Sequence, residues 1–435
     1  MEQFVITGPT RLQGQLAVPG AKNSVSKLLA ASMLSADPSE FSNVPEIDDT
    51  SVTMDICESL GTRFERKPPR RLTAHTATLV SSAVPADLAR RNRLSVMMLA
   101  PLLHRTGRAI IPSAGGDRIG SRPVDFHLEA YRQMGADVRV EADAYVVQAD
   151  GLAGAEIALP FPSVSATENV LLAGALARGR TYIRNAAIEP EVIDLALFLQ
   201  KMGAIIEHQV DRTLVVEGVR QLFGATHRVM PDRLVSASIG AAALLTDGDV
   251  FVRHARQRDM LTFLNTVRRV GGCFDVEADG IRFYRRGKLR PIALETSVHP
   301  GFMTDWQPAF VVLLTQAEGM SVVHETVFED RFGYVEQLRK MGADIEIYDA
   351  CLGGSPCRFA ARGCKHSAVI RGPTRLHGAL LETPDLRAGF TELIAAVAAE
   401  GQSVLAGVEH IDRGYEQIDA SFRQLGASIE RRHVE

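Results

Sequence analysis

A lysine and an asparagine follow a proline-glycine pair at the start of the first helix-like stretch of the chain. Lys22 and Asn23 come directly after Pro19-Gly20 in the segment AVPGAKNSVSKLLAASML. Backbone N–H groups at the beginning of a helix attract anions, and a lysine there adds a full positive charge. The pattern predicts an anion site at Lys22, and a solvated lysine at an ordinary helix start is the alternative.

A glycine-rich segment further along carries acidic and basic side chains. Three glycines between residues 115 and 120 surround Asp117 and Arg118, and Arg122 follows in IPSAGGDRIGSRPVDFH. Glycine clusters suit a loop that closes over a substrate. The segment predicts such a loop, with a plain hairpin turn as the alternative.

Four later motifs each place a charged residue at a strand end or at the entry to the next helix. A single arginine of this kind usually forms a surface salt bridge. Several arginines held together would repel one another unless a multiply charged anion bound between them. The residues are Asp305 in HPGFMTDWQP, Arg331 in HETVFEDRF, Arg387 in TPDLRAG and Arg413 in HIDRGYE.

Six repeats organise the chain and must position these residues. A large apolar residue, a glycine and a small residue recur after a helix-like stretch and before a strand-like one, at intervals of 68 to 84 residues. A spacing this regular indicates repeated folding units. The glycines are Gly61, Gly135, Gly203, Gly271, Gly342 and Gly426.

Each repeat reads as a helix that ends at its glycine, which can take positive φ, followed by a strand. An example is DLALFLQKMGA followed by IIEHQV. Alanine-rich stretches such as SASIGAAALL are apolar nearly all round, which predicts helices buried at the centre of a domain. The phrase GPTRLQG at Gly8 returns as GPTRLHG at Gly372, as duplication would produce. We expect an α/β protein of six units, three in each half.

Composition excludes several other classes of protein. Hydrophobic residues make up 46% of the 435 residues, as in a globular protein with a core. A net charge of -4 argues against a general affinity for nucleic acid or anionic membrane. The N-terminal sequence lacks the features of a signal peptide, and no apolar run is long enough for a membrane helix. We therefore expect a cytoplasmic location.

A group of cysteines near residue 360 raises the question of a metal site. Cys351, Cys357 and Cys364 lie close in sequence to His366. Their spacing does not match the paired C-x-x-C pattern of zinc sites. We therefore expect a loop with reduced thiols and no metal.

Taken together, these motifs resemble the UDP-N-acetylglucosamine 1-carboxyvinyltransferase family of enolpyruvyl transferases, and the similarity runs from Gly8 to Glu430. A relative that uses shikimate normally has a serine-rich segment after its first lysine, so Asn23 favours the sugar-nucleotide branch. The carriers of the resemblance are GAKN at Gly20, GSRPVD at Gly120, FPSVSATEN at Phe161, TVFEDRF at Thr326 and HIDRGYE at His410.

The resemblance implies a fold and a domain division. The fold is a two-domain inside-out α/β barrel of six βαβαββ-type units, three per domain. Residues 22–230 would form the N-terminal domain that carries the flexible loop. Residues 1–21 with 231–435 would form the C-terminal domain, and the active site would lie in the cleft between the two.

The resemblance also implies a reaction, in which the enolpyruvyl group of phosphoenolpyruvate passes to the sugar 3-hydroxyl and phosphate leaves, as the first committed step of peptidoglycan synthesis. The reaction is an addition followed by an elimination through a tetrahedral ketal, and it requires neither a metal nor an organic cofactor. The implied partners are small-molecule substrates, with no obligate protein partner. The implied catalytic residues are Lys22, Asp117, Asp305 and Arg413.

Two sets of implied binding residues belong to the two substrates. Phosphoenolpyruvate would contact Lys22, Asn23, Arg122, Arg331, Arg387 and Arg413. The nucleotide sugar would contact Asn23, Arg93, Arg122, Pro123, Val124, Asp125, Phe126, Pro162, Ser163, Val164, Asp305 and Val327.

The sequence departs from the family pattern at several positions. Asp117 replaces the usual loop cysteine, so the epoxide antibiotic fosfomycin, which alkylates that cysteine, is expected to leave the protein without a covalent adduct. Ser165 replaces a glycine in the phrase SVGAT, and Ile188, Val235 and Met303 are further departures. Two alternatives therefore stay open: transfer to another nucleotide such as UMP in nucleoside antibiotic biosynthesis, or a non-catalytic sugar-nucleotide sensor.

Overall fold

A computed structural model describes residues 2–113, 123–354, 357–360, 362–383 and 385–433. Asp117 and Arg122, which the sequence marks as site residues, lie outside the described residues. The chain divides into two compact units. Their described parts are called the C-unit (residues 2–18, 231–354, 357–360, 362–383 and 385–433) and the N-unit (residues 19–113 and 123–230).

The described residues form strands and helices in regular alternation. The strands are β1 (Glu2–Gly8), β2 (Gln13–Ala17), β3 (Ser39–Ser42), β4 (Arg63–Lys67), β5 (Arg71–His75), β6 (Arg108–Pro112), β7 (Asp137–Val140), β8 (Ala144–Gln148), β9 (Glu156–Ala158), β10 (Arg180–Arg184), β11 (Ile205–His208), β12 (Leu214–Glu217), β13 (Thr226–Arg228), β14 (Asp249–Arg253), β15 (Gly272–Glu277), β16 (Gly280–Arg285), β17 (Ala293–Glu295), β18 (Gly319–His324), β19 (Asp344–Tyr348), β20 (Ser367–Gly372), β21 (Leu380–Glu382), β22 (Gly401–Ala406) and β23 (Ser428–His433).

The helices connect these strands, and short 3-10 turns occur at Leu94–Met98, Gln257–Asp259 and Thr304–Trp306. The α-helices are α1 (Lys22–Ser32), α2 (Asp48–Ser59), α3 (Ala86–Arg91), α4 (Leu99–Thr106), α5 (Asp125–Gln133), α6 (Val164–Gly174), α7 (Pro190–Lys201), α8 (Arg233–Leu245), α9 (Leu261–Arg269), α10 (Gln307–Leu314), α11 (Val335–Lys340), α12 (Leu386–Ala398), α13 (Glu409–Asp412) and α14 (Ile418–Gln424).

In the C-unit, the described strands form three four-stranded sheets around buried helices. The strand orders are β15-β16-β14-β2, β17-β18-β20-β19 and β21-β22-β1-β23. The alanine-rich helices α8, α10 and α12 pack against one another inside the unit, and every residue of α8 and α10 is buried. Helices that are apolar on all sides belong at the centre of a domain, as the sequence predicts.

The N-unit repeats this arrangement. Its described sheets have the strand orders β13-β3-β5-β4, β6-β8-β7 and β11-β12-β10-β9. Helices α1, α4 and α6 all contact the 3-10 turn Leu94–Met98 in the interior. With three sheets in the described part of each unit, the six sheets correspond to the six repeats.

The repeat glycines have the backbone conformation that the sequence predicts. All six have positive φ, from 91° to 113°. In the third repeat α7 ends at Lys201, Gly203 has φ 106°, and β11 begins at Ile205. A residue without Cβ reverses the chain there at little steric cost, and the helix can lead directly into its strand.

The two GPTRL phrases occupy equivalent places in their repeats. The Thr10 N–H donates to the Val397 carbonyl at 2.9 Å, and the Thr374 N–H donates to the Thr315 carbonyl at 2.8 Å. In both cases the chain leaves a strand and crosses the end of a central helix. A Cβ on Gly8 or Gly372 would lie 2.6 Å from a helix carbonyl oxygen, so this close approach requires glycine.

The longest described helices, α8 and α12, are core helices of the C-unit. A search of the described helices for one with the length and apolar character needed to cross a membrane finds none.

Candidate active site

Lys22 is the first residue of α1 in the N-unit. Its Nζ lies 2.9 Å from Asp49 Oδ2, and the two side chains are only 12% and 10% exposed. Asp49 is in the first turn of α2, so two helix starts meet at this ion pair. Lys22 is therefore held in place and largely shielded from water, and Asn23 follows it, partly exposed, in the same turn.

The predicted nucleotide residues of the N-unit are distributed over the starts of α5 and α6. Arg93 Nη2 donates to the Pro123 carbonyl at 3.1 Å, and this contact fixes a guanidinium beside the start of α5. The Ser163 hydroxyl accepts from the Ala166 N–H at 3.4 Å and caps α6. Two helix N-termini and an arginine favour an anionic ligand.

A hydrogen bond between α5 and α6 holds these two helix starts side by side. His127 Nε2 lies 3.0 Å from the Ser165 hydroxyl. Burial and the positive charge of Arg93 lower the pKa of His127 to about 4, so its ring is neutral near pH 7. Ser165, which departs from the family's glycine, therefore has a structural partner. Val124, Asp125, Phe126, Pro162 and Val164 all belong to these two helix starts.

The C-unit gathers a carboxylate and two buried arginines. Asp305, in the 3-10 turn before α10, accepts from Arg331 Nη2 at 2.7 Å through Oδ1. Its Oδ2 lies 3.8 Å from Arg387 Nε. The arginine side chains are 3% and 7% exposed, whereas Asp305 is 21% exposed. Arg331 Nε is buried without a hydrogen-bond partner among the described residues, so it can still donate to a bound anion.

Arg387 is oriented by aromatic and hydroxyl groups on neighbouring elements. Its Nη1 donates to the Tyr415 hydroxyl at 3.0 Å. The same Tyr415 hydroxyl lies 3.1 Å from the Ser238 hydroxyl on α8. Burial alone lowers the pKa of Arg387, but interactions with Tyr415, Asp305 and Asp232 outweigh burial and raise the pKa overall. The guanidinium is therefore charged at any physiological pH, and its fork is fixed for recognition of a carboxylate or phosphate.

Glu325 is a positioning residue that the sequence reasoning missed. Its Oε1 accepts from the N–H groups of Val327 and Phe328 at 2.8 and 3.1 Å, and its Oε2 accepts from the Thr304 hydroxyl at 3.0 Å. One buried carboxyl thus ties the segment that precedes Arg331 to the turn that carries Asp305. Its place inside the quoted motif HETVFEDRF was the available signal.

The structure joins some predicted site residues and leaves others apart. Asp305, Arg331 and Arg387 form one cluster, and Val327 is fixed beside it through Glu325. Arg413 follows α13 and lies two residues before Tyr415, whose hydroxyl contacts Arg387. Tyr415 is a second residue that the sequence reasoning did not single out.

These arginines, the carboxylate and the two barrels of three repeats are consistent with the family model that the chain matches. The model described as EPSP synthase (3-phosphoshikimate 1-carboxyvinyltransferase) matches residues 6–422. The chain therefore belongs to this family of enolpyruvyl transferases, and it is an enzyme. This finding excludes the non-catalytic sensor.

The chain is similar to curated relatives over nearly its full length. It is 49% identical to UDP-N-acetylglucosamine 1-carboxyvinyltransferase of Protochlamydia amoebophila over 95% of this chain and 90% of that protein. It is 45% identical to the enzyme of the same name from Chlamydia muridarum, with 95% of each chain covered. The family resemblance inferred from the motifs is thus confirmed.

Solved structures confirm the fold class. The enolpyruvyl transferase NikO from Streptomyces tendae superposes with a TM-score of 0.88 at 25% identity, over 99% of this chain and 98% of that chain. EPSP synthase from Acinetobacter baumannii superposes with a TM-score of 0.75 at 17% identity over the whole of both chains. The protein has the two-domain inside-out α/β fold with three repeats in each domain.

Proposed function

We propose that this protein transfers the enolpyruvyl group of phosphoenolpyruvate to the 3-hydroxyl of UDP-N-acetylglucosamine with release of phosphate. The observation that carries the proposal is its 43–49% identity to several relatives named for this reaction, over almost their whole length. The buried arginine and aspartate cluster supports it, because the reaction needs both a site for anions and a proton acceptor.

Arg331 and Arg387 are proposed to hold the phosphate and carboxylate of phosphoenolpyruvate. Both guanidiniums are buried, charged and oriented by neighbours, so little reorganisation is needed when the substrate binds. Arg413, Arg122, Asn23 and Lys22 complete the proposed binding set. Lys22 stabilises negative charge in the tetrahedral ketal and assists proton delivery to C3.

Asp305 is proposed to accept the proton of the attacking 3-hydroxyl. The hydroxyl oxygen then forms a bond to C2, C3 gains a proton, and the resulting ketal later loses phosphate and a C3 proton to restore the double bond. The neighbouring arginines favour the ionised carboxylate, which is the form able to accept a proton. Asp117 is the proposed acid of the loop in place of cysteine.

The starts of α5 and α6, together with Arg93, are proposed to bind the uridine nucleotide. Two helix N-termini and a fixed guanidinium suit a diphosphate. Val327 and Asp305 are proposed to contact the sugar. The nucleotide sugar is a cytoplasmic precursor of peptidoglycan in this proposal, and the reaction takes place in the cytoplasm.

UMP is a less favoured acceptor. The curated relatives at 43–49% identity are named for the UDP-N-acetylglucosamine reaction.

The test is an acceptor comparison with the purified full chain and phosphoenolpyruvate. Phosphate release is measured with UDP-N-acetylglucosamine, UMP or shikimate 3-phosphate in parallel, and the enolpyruvyl product is identified by mass spectrometry. We expect turnover with UDP-N-acetylglucosamine. Turnover with either other acceptor alone would refute the acceptor assignment, and release with none of the three would refute the proposal as a whole.

A further inference from the structure

A group of four possible metal ligands lies in the C-unit, outside the cluster of Asp305, Arg331 and Arg387. In the described residues, one potential ligand atom from each of His324, Cys351, Cys357 and His366 lies within 4.8 Å of every other. His324 and His366 are buried, and the cysteines are free thiols. The sequence predicts a loop with reduced thiols and no metal, because the cysteine spacing matches no paired C-x-x-C pattern.

The sheet pairing brings the two histidines together. His324 ends β18 and pairs with Ser367 at the start of β20. The residue before Ser367 is His366, whose carbonyl accepts from the Glu325 N–H at 2.8 Å. The two imidazole centroids are 5.3 Å apart. The geometry that joins the histidines is therefore fixed by the backbone ladder and does not depend on the loop.

The ring of His366 is oriented as in a metal ligand. Its Nδ1 lies 2.8 Å from the Cys364 carbonyl, and a carbonyl can only accept, so Nδ1 carries the proton. The lone pair is then on Nε2, which faces Cys351 Sγ at 3.2 Å. A backbone carbonyl that fixes the tautomer of a histidine is the usual outer partner of a metal-bound imidazole.

His324 is a buried imidazole in need of a partner. Its side chain is 0% exposed, and neither ring nitrogen has a hydrogen-bond partner among the described residues. Burial of an unsatisfied polar group is unfavourable. A metal ion would satisfy this group.

The cysteine side of the cluster is held by a backbone contact and covered by a buried aromatic ring. Cys357 Sγ accepts from the Phe359 N–H at 3.3 Å, and the buried Phe359 ring packs edge-on against His366 at 5.9 Å. The apolar ring limits access of water to this side of the cluster. Cys364 contributes its carbonyl oxygen, and its sulfur is outside the cluster.

The segment that carries the cysteines is unusually long for its place in the repeat. Residues 349–366 connect β19 to β20 with 18 residues, and their described part contains no helix or strand. The corresponding hairpins β4–β5, β7–β8, β11–β12 and β15–β16 have loops of two to five residues. Loops longer than about 12–15 residues without secondary structure of their own are uncommon and usually functional.

We propose that His324, Cys351, Cys357 and His366 form a structural zinc site. The ion would hold the segment 349–366 against the last residue of β18 and the start of β20. Tetrahedral zinc with two sulfur and two nitrogen ligands places its ligand atoms about 3.3–3.8 Å apart, so small side-chain shifts close the cluster around the ion. The two thiols lose their protons to solvent as two Zn–S bonds form. Four protein ligands leave no open position, so the ion is structural and takes no part in the bond changes of the proposed transfer reaction.

The first test is the metal content of the full chain, purified under reducing conditions without an affinity tag that binds metal and then equilibrated with zinc and desalted. We expect about one zinc per chain, and roughly tenfold less in the double variant Cys351→Ser with Cys357→Ser. The matched control is Cys364→Ser, which alters a thiol of the same segment outside the cluster and should keep the zinc.

Cobalt replacement gives a readout that does not depend on stability. With cobalt in place of zinc, the wild-type chain and Cys364→Ser should show thiolate-to-metal charge transfer and the visible bands of a tetrahedral ion, and the double variant should lack them. A wild-type chain that binds neither metal with its thiols reduced would overturn the proposal, as would equal metal loss in Cys364→Ser. Neither result depends on whether the protein transfers enolpyruvyl groups.

Discussion

Glu392 lies in the buried centre of α12 and should make the stability of the C-unit depend on pH. Its side chain is 0% exposed, and its Oε2 accepts from the Thr383 hydroxyl at 3.0 Å. Its Oε1 has no partner in the described part of the chain. Burial raises the pKa of Glu392 from 4.5 to about 8, and nearby acidic groups add to the effect. The folded protein therefore holds a proton on this residue at neutral pH.

The direction of the effect follows from the order of the two pKa values. Below about pH 4.5 both folded and unfolded chains are protonated, and the contribution of Glu392 to stability is fully present. As the pH rises to about 8, the unfolded chain has lost the proton that the folded chain retains, so stability falls. The slope is about 1.4 kcal/mol per pH unit, and the full difference has an upper bound of about 5 kcal/mol.

The substitution Glu392→Gln removes this titration and should flatten the pH dependence between pH 5 and 8. Thermal midpoints are measured at several pH values and constant ionic strength. As the pH rises, the midpoint of the variant should fall less steeply than that of the wild type, and the two slopes should differ by roughly 3–5 °C per pH unit for a domain of this size. Glu277→Gln, on an exposed strand end of the same unit, is the control and should track the wild type.

Infrared spectroscopy provides a direct check on the proton. The wild-type chain should show a protonated carboxyl stretch that disappears above about pH 8, and the variant should lack this component. Burial raises the pKa of Glu168 to about 7. Glu168 should therefore give a second protonated-carboxyl component in both proteins, which disappears at a lower pH than that of Glu392. Parallel midpoint curves for Glu392→Gln and the wild type would refute the assignment of a buried neutral acid.

Three further predictions concern the proposed site, the loop and the cluster. Asp305→Asn should lower kcat by roughly 10²- to 10⁴-fold in the phosphate-release assay. The KM for phosphoenolpyruvate should change less, because the arginines remain. The control Asp249→Asn on β14 should leave kcat unchanged. Incubation with fosfomycin should leave Asp117 without a covalent adduct, and a mass shift on its peptide would contradict this. Gly353→Ala should lower zinc content, because a Cβ there would lie 1.8 Å from His324 Nδ1, whereas Gly354→Ala meets open space and should retain zinc.

The repeats could be predicted from the sequence because their signals are local. A helix, a glycine with positive φ and a strand are contiguous, so each of the six phrases carries its own structural information. The apolar character of α8 likewise predicts burial without reference to any other segment. Fold class and family therefore followed from short stretches of the chain.

The contacts that orient the site depend on pairing between distant segments, which these local signals do not contain. Asp305 and Arg331 are 26 residues apart, and their 2.7 Å contact depends on how the turn before α10 meets the segment after β18. Glu325 connects the same two places, yet in sequence it reads as an ordinary acid in a motif. His324 joins the cysteines only through the register of β18 with β20.

His324, the last residue of β18, and Glu325, which follows it, link the proposed zinc site to the proposed sugar contact at Val327. Glu325 accepts from the backbone N–H of Val327, and Arg358, in the cysteine-bearing segment, donates to the carbonyl of the same residue. The segment 349–366 has no helix or strand in its described part. A zinc ion bound at His324, one residue before Glu325, would fix the Arg358 contact with Val327 next to the Glu325 contact. In the proposed site, the bound metal would therefore hold the segment 349–366, and with it Arg358, at the backbone of Val327.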